Sequence, residues 1–147
     1  MMCGITNLPK GFGVALGVNT LWVNVSEIFR YFVFVMPMMR QTFPNVSDIA
    51  PINASVFGLW MVWDTVLILL ITGLTWLFMA QLGRRFQTAM YAGATVWCAV
   101  FVMFWLALFN MNLATWDMIC IAWPLSGLEM LIAAWIVYRC YPKTKAD

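Results

Sequence analysis

Four ionisable side chains lie inside segments that otherwise are apolar and long enough to cross a membrane: Glu27, Arg30, Asp64 and Glu129. A charge at the centre of a bilayer costs about 2.5–3.5 kcal/mol on insertion scales and more in simulations. A chain carries such groups when they face one another, water or a ligand. One guanidinium cannot balance three carboxyl groups, so the excess acid must be protonated, hydrated or paired with a group outside the chain. The sequence therefore predicts a site for a proton or a small cationic ligand.

The spacing of the polar residues predicts that three helices turn polar faces toward one another. The faces are Thr20, Asn24, Glu27 and Tyr31 in the first helix, Asp64, Ile68, Thr72 and Thr75 in the second, and Ala122, Ser126, Glu129 and Ala133 in the fourth. At a helical rise of 1.5 Å per residue, the ionisable groups lie roughly 12–20 Å from the outer helix ends. They therefore share one layer of the bundle.

Each polar group in this layer has an expected role. We expect Glu27, Asp64 and Glu129 to bind the ligand through their carboxyl groups. Arg30 is the internal counter-ion and pairs with Glu27 on its own helix, at a spacing of three residues, or with Asp64 across the bundle. Asn24 supplies hydrogen bonds.

Tryptophans next to the acids support a cationic ligand, although they have an ordinary explanation too. Trp60 and Trp63 lie shortly before Asp64, and Trp22 lies near Glu27. An aromatic ring beside a carboxylate favours an alkylated ammonium, because cation–π attraction adds to charge attraction. Tryptophan is also typical of membrane interfaces, and this chain carries 9 of them. We include Trp60 and Trp63 in the predicted site.

Two further features concern backbone geometry. Pro124 lies inside the fourth helix, followed by Ser126, Gly127 and the acid, and a kink or break there resembles the discontinuous helices of transporter sites. A proline that only bends the helix for packing is the simpler interpretation. Gly13 and Gly17 form a G-x-x-x-G pattern, which allows close helix contact within or between chains.

The elements that carry these residues follow from composition. The chain of 147 residues is 64% hydrophobic and 10% charged, with a mean hydropathy of +0.86, whereas soluble domains are about 45–50% apolar and about 25% charged. Four segments suffice to cross a membrane, at about 12–39, 56–80, 86–109 and 116–138. Short connections favour antiparallel neighbours. The sequence predicts an all-α, four-helix transmembrane bundle in a single domain, 1–147.

The positive residues predict the orientation of this bundle. Arg84 and Arg85 predict that the turn between the second and third helices lies in the cytoplasm. The C-terminus is expected there too, because of Arg139, Lys143 and Lys145. An even number of spans puts the N-terminus, with Lys10, on the same side. We expect a bacterial inner membrane, where the sequons at Asn45 and Asn53 in the long outer loop would have no role.

Several classes of function lack their signature residues. The chain has no His, and Cys3, Cys98, Cys120 and Cys140 form no C-x-x-C pair, so no metal site is expected. The cysteines in apolar segments, Cys98 and Cys120, are expected to be packing residues. There is no nucleotide, hydrolase or cofactor motif, so we expect no cofactor. A net charge of +2 gives no reason to expect nucleic acid.

Three functions and one purely structural interpretation stay open. The first function is binding or transport of a proton or small cation. The second is a non-catalytic accessory or assembly subunit, whose partner beyond the lipid bilayer is another membrane protein or a second copy of the chain. The third is a membrane-embedded isomerase with Glu27 and Glu129 as acid and base. In the structural interpretation, the ion pairs only hold the helices in register.

Overall fold

The computed structural model describes residues 9–49 and 51–143; Cys3, Lys145 and the side chain of Lys10 lie outside the described part. Within these residues there are four long helices, which we call α1 (Gly11–Thr42), α2 (Ala54–Leu82), α3 (Phe86–Asn110) and α4 (Trp116–Cys140). Each is long and apolar enough to span a membrane, and the described residues contain no strand. The chain is an all-α, multi-pass membrane protein. Each helix extends past its predicted span by three residues or fewer.

Local signals account for where the helices begin and end. Asn53 caps α2, because its Oδ1 accepts the N–H of Val56 at 3.0 Å. Thr115 caps α4 in the same way, at 3.4 Å from the N–H of Met118. Gly83 ends α2 with a φ of 88°, a conformation that favours glycine.

Two of the four helices contain a wide π-helical turn. In α1 this turn is Tyr31–Val35, where the N–H of Met36 donates to the carbonyl five residues back, and in α3 it is Cys98–Val102. Pro37 follows the turn in α1 and cannot donate to the carbonyl four residues before it, so a change of hydrogen-bond register there is understandable. Single π turns often mark functional sites.

The helices pack as a ring in chain order, and α4 contacts the other three. We call the end with the 43–53 and 111–115 connections the loop end, and the end with the Gly83–Arg85 turn the turn end. At the turn end, packing is close: a Cβ on Gly93 would lie 3.0 Å from the carbonyl oxygen of Met130. At the loop end, by contrast, no residue of α2 before Asp64 is buried.

Arg84 ties the turn end together. Its Nε donates to the carbonyl of Tyr141 at 3.1 Å, and its Nη2 donates to the carbonyl of Tyr138 at 3.3 Å. Carbonyls at the end of a helix lack intrahelical donors and carry partial negative charge, so an arginine there is favourable. The α2–α3 turn is thereby fixed to the C-terminal end of α4.

Two expectations from the sequence are wrong. Thr20 is exposed, so the inward face of α1 does not include it. Two cysteines expected to be packing residues are exposed: Cys98 and Cys120.

Two other expectations are narrowed. The helix α4 runs unbroken through Pro124, so the alternative of a discontinuous helix is not present and the simpler interpretation stands. A Cβ at Gly13 or Gly17 would meet nothing within 4 Å, so these glycines make no close helix contact within the chain, and contact between chains stays a prediction.

Candidate functional site

Arg30 is the centre of a buried ionic cluster. Its Nη2 lies 2.5 Å from Oε1 of Glu27, and its Nη1 donates to Oε2 of Glu129 at 2.8 Å. The guanidinium also lies over the ring of Phe101, 4.8 Å from the ring centroid. Arg30 is therefore held by α1, α3 and α4 at once. The predicted pair with Glu27 is present, and the second partner is Glu129 rather than Asp64.

Glu129 is held on more than one side. The Oγ of Ser26 donates to Oε2 at 2.9 Å, so this oxygen accepts two hydrogen bonds. The indole N–H of Trp22 donates to the backbone carbonyl of Glu129 at 3.0 Å. The other carboxyl oxygen, Oε1, is buried and has no partner among the described residues. Glu129 is thus buried in the protein and forms a direct ion pair with Arg30.

A cavity lies beside this cluster, between α1, α2 and α3 at the loop end. Its volume is about 430 Å³, which falls in the range of small-molecule sites. Glu27, Arg30 and Asp64 are its polar lining. Aromatic side chains form much of the remaining wall: Tyr31, Trp60, Trp63, Phe101, Phe104 and Trp105. The cavity therefore combines ionisable groups with large apolar surfaces.

Of the three intramembrane acids, Asp64 is the one without a basic group in contact among the described residues. It is buried, with 8% of its surface exposed, and it lines the cavity. Within the described residues, Asp64 makes neither an ion pair nor a side-chain hydrogen bond, since Arg30 is occupied by two other acids. An unpaired buried carboxyl group is costly unless water or a ligand satisfies it.

The two π turns lie at the level of this cavity. Tyr31 and Val35 begin and end the turn in α1, and Phe101 lies in the turn of α3; all three line the cavity. A π turn rotates the following helix relative to the preceding one. Near these turns, aromatic rings of α2 contact both neighbouring helices. The ring centroids are 4.2 Å apart for Tyr31 of α1 and Trp60, and 6.3 Å apart for Trp63 and Phe104 of α3.

A second buried polar layer lies between the cluster and the turn end. The amide of Asn19 donates to Thr72 Oγ1 at 3.0 Å and to the carbonyl of Ala133 at 3.3 Å, which connects α1, α2 and α4. Its Oδ1 and the hydroxyl of Thr75 are buried without partners among the described residues. This layer explains the polar faces that the sequence indicated in α2 and α4, with Asn19 as their partner on α1.

The predicted site residues divide into three groups. The structure places Glu27, Arg30, Asp64, Trp60 and Trp63 around the cavity. Glu129 lies behind Arg30 and does not line the cavity. The structure does not bring Asn24 into this group.

Asn24 instead satisfies its own helix. Its Nδ2 donates to the carbonyl of Thr20 at 2.8 Å, four residues back. The residues that sequence reasoning missed are Ser26, Phe101 and the role of Trp22 at Glu129. A signal existed for Ser26, which lies one residue before Glu27 and four before Arg30. None existed for Phe101, because phenylalanine is common throughout the spans.

The described residues of the site offer charge, hydrogen bonding and apolar contact. Among the described residues, no group of three His, Cys, Asp or Glu side chains could hold a metal ion. Glu129 lies out of reach of a molecule in the cavity, so the geometry does not favour it as an acid or base for a bound substrate. Comparison of the chain with models of known protein families, with curated proteins and with solved structures found no match.

Proposed function

We propose that the cavity binds a small organic cation with an apolar body. The observation that carries this proposal is the carboxyl group of Asp64, which lines the cavity without a basic partner among the described residues. A cation in the cavity would supply the missing charge. A neutral molecule would leave the group as it is, so charge is expected to decide what binds.

The aromatic wall supports the same conclusion. Trp60 and Trp63 precede Asp64 by four residues and by one residue, and they line the cavity with it. Cation–π attraction contributes about 0.5–1 kcal/mol at exposed sites and about 2 kcal/mol or more where the pair is desolvated. The apolar remainder of the wall suits a ligand whose charge is surrounded by carbon, such as an alkylated ammonium. A strongly hydrated ion such as sodium would find too few oxygen ligands.

The ionic cluster gives the cavity its sign. With Arg30 shared between Glu27 and Glu129, the group of four residues contains three acids and one base. A bound cation would reduce this excess of acidic over basic groups. We therefore assign Asp64 as the residue that binds the ligand directly and Glu27 as a second negative group at the edge of the cavity. Arg30 and Glu129 stabilise the cavity wall through their ion pair. Transport of the ligand, or of a proton in exchange, remains a prediction.

The proposed setting is a bacterial inner membrane with both ends of the chain on the cytoplasmic side. The described arginines and lysine near the turn end support this orientation: Arg84, Arg85, Arg139 and Lys143. The cavity, at the loop end, would then lie in the outer half of the membrane.

Binding can be tested with phenyltrimethylammonium and its uncharged isostere tert-butylbenzene. Tryptophan fluorescence of the purified protein should change saturably with the cation and not with the isostere. Asp64→Asn keeps the shape of the side chain and removes its charge, so it should abolish saturable binding. Asp117→Asn is the matched control, because Asp117 is exposed on α4 outside the cavity and its charge should not matter.

Two outcomes would contradict the proposal. Equal responses to the cation and its isostere would mean that charge is not recognised. Unchanged binding in Asp64→Asn would mean that another group holds the cation. If no ligand binds and a membrane protein co-purifies in fixed proportion, the accessory-subunit alternative takes its place.

A further inference from the structure

The first ten residues of α2, from Ala54 to Trp63, form a weakly enclosed part of the wall around the cavity. None of them is buried, whereas Asp64 and most of the inward residues that follow are. Leu59 lines the cavity and is nevertheless 70% exposed. A residue that is both lining and exposed marks an opening. The cavity is therefore open along this segment.

Four other lining residues are exposed as well. Ile28 of α1, Trp63 of the segment itself and Phe104 of α3 are each more than 40% exposed and belong to membrane-spanning helices. The fourth, Leu113, is 46% exposed and lies in the 111–115 connection at the loop end. Ile28 and Trp63 lie nine or more residues from the loop-end limits of their helices, so the flank of the bundle around them faces the hydrocarbon of the bilayer. The opening is thus directed at lipid along this flank, and it extends toward the loop end past Leu59 and Leu113.

We propose that the ligand is an amphiphile, an amine or quaternary ammonium on an alkyl chain, that enters the cavity sideways from the bilayer past Leu59. This inference rests on the proposed cation site. Charge complementarity places the ammonium at Asp64, and the continuity of the apolar wall with the lipid-facing flank places the chain in the opening. The bilayer delivers the molecule, and the cavity supplies the counter-ion that hydrocarbon lacks.

The test compares entry routes with the protein in lipid nanodiscs. Octyltrimethylammonium, which partitions into the bilayer, and tetramethylammonium, which does not, are mixed with the protein, and tryptophan fluorescence is followed in a stopped-flow instrument. Leu59→Trp fills the opening. Met61→Trp is the matched control, because Met61 is 69% exposed on the same helix but does not line the cavity.

Sideways entry predicts that Leu59→Trp slows association of octyltrimethylammonium several-fold relative to Met61→Trp. The association rate of tetramethylammonium should be the same in both variants. If Leu59→Trp leaves the octyl rate unchanged, or slows both cations equally, the inference is overturned and the cation site stands. If neither cation binds to the parent protein, the proposed function itself fails.

Discussion

The same four helices pack against one another differently at the two ends of the bundle. At the turn end, small residues bring α3 and α4 together, and Gly93 meets the backbone of α4 almost directly. At the loop end, aromatic rings hold α2 at a distance from its neighbours, with Trp60 against Tyr31 and Trp63 against Phe104. The cavity lies between α2 and these neighbouring helices. The difference is one of side-chain volume and not of hydrophobicity.

This contrast has a physical basis in the membrane. Lipid tails are as apolar as leucine, so hydrophobicity alone does not drive helices together, and close packing requires small residues and interhelical hydrogen bonds. The turn end has both, through Gly93 and through the hydrogen bonds of Asn19. The loop end instead has the ionic cluster around Arg30. We expect stability to reside in the turn end and in this cluster, and ligand binding in the remainder of the loop end.

Removal of Arg30 should have the largest effect on stability. Arg30→Leu leaves Glu27 and Glu129 facing each other without their counter-ion, and loss of one partner of a buried pair typically costs about 3–5 kcal/mol. Unfolding in mixed detergent micelles would measure it. Glu129→Gln should cost less, because an amide can still accept hydrogen bonds from Arg30 and Ser26. The control is Arg40→Leu, at an exposed arginine of the same helix.

A compensating variant makes this prediction sharper. If unpaired charge is the cause, adding Glu27→Gln and Glu129→Gln to Arg30→Leu should restore part of the lost stability. Adding Asp64→Asn instead should restore less, because Asp64 makes no contact with Arg30 within ion-pair distance. A neutral Arg30→Leu variant would show that the cluster does not hold the loop end, and the contrast between the two ends would have to be reconsidered.

Most of the fold could be predicted from the sequence, for a physical reason. Backbone groups in hydrocarbon must be satisfied within the chain, so apolar segments of sufficient length become helices. The spacing of Ser126 and Glu129 identified a buried face of α4, which the structure confirms. The π turns were not foreseen, because Pro37 lies near the predicted end of its span, and α3 contains no proline and has its glycine, Gly93, five residues before the turn begins.

The site was only partly accessible, because rotation of α1 decides which polar residues face inward. The chosen face of α1 began at Thr20 and Asn24, whereas the buried polar residue is Asn19. Residues one position apart differ by about 100° around a helix, so a small error of phase exchanges them. The choice of Glu129 over Asp64 as partner of Arg30 depends on tertiary distances that sequence spacing does not contain. Long-range pairing of this kind requires the structure.

A glycine comparison tests the turn end, with an intermediate effect. Gly93 and Gly73 are both helical, but a Cβ at Gly93 would press on the Met130 carbonyl and on Ala134 at 3.1 Å, whereas a Cβ at Gly73 would meet nothing within 4 Å. Gly73→Ala should stabilise by up to about 1 kcal/mol through helix propensity. Gly93→Ala should lose about 1–3 kcal/mol relative to it, through overpacking. Equal effects in detergent unfolding would mean that α3 and α4 do not depend on this contact.

The smallest expected effect concerns the loop end, at the cap of α2. Asn53→Ala removes the acceptor of the Val56 N–H, a change that typically costs about 0.5–2 kcal/mol. We expect the lower part of that range, because the first ten residues of α2 pack too loosely for their fraying to disturb the bundle. Asn45→Ala, in the same connection and without a helix to cap, is the control and should have no effect.

Amide hydrogen exchange would show where the cost of Asn53→Ala falls. Local opening should increase at the start of α2, up to about Trp63, and leave the amides after Asp64 unchanged, because partial unfolding follows the limits of packed units. Since the same segment borders the opening at Leu59, the variant should also speed the entry of octyltrimethylammonium. Faster exchange along the whole of α2 would instead mean that this helix unfolds as one unit, and that the loop end is no more loosely held than the turn end.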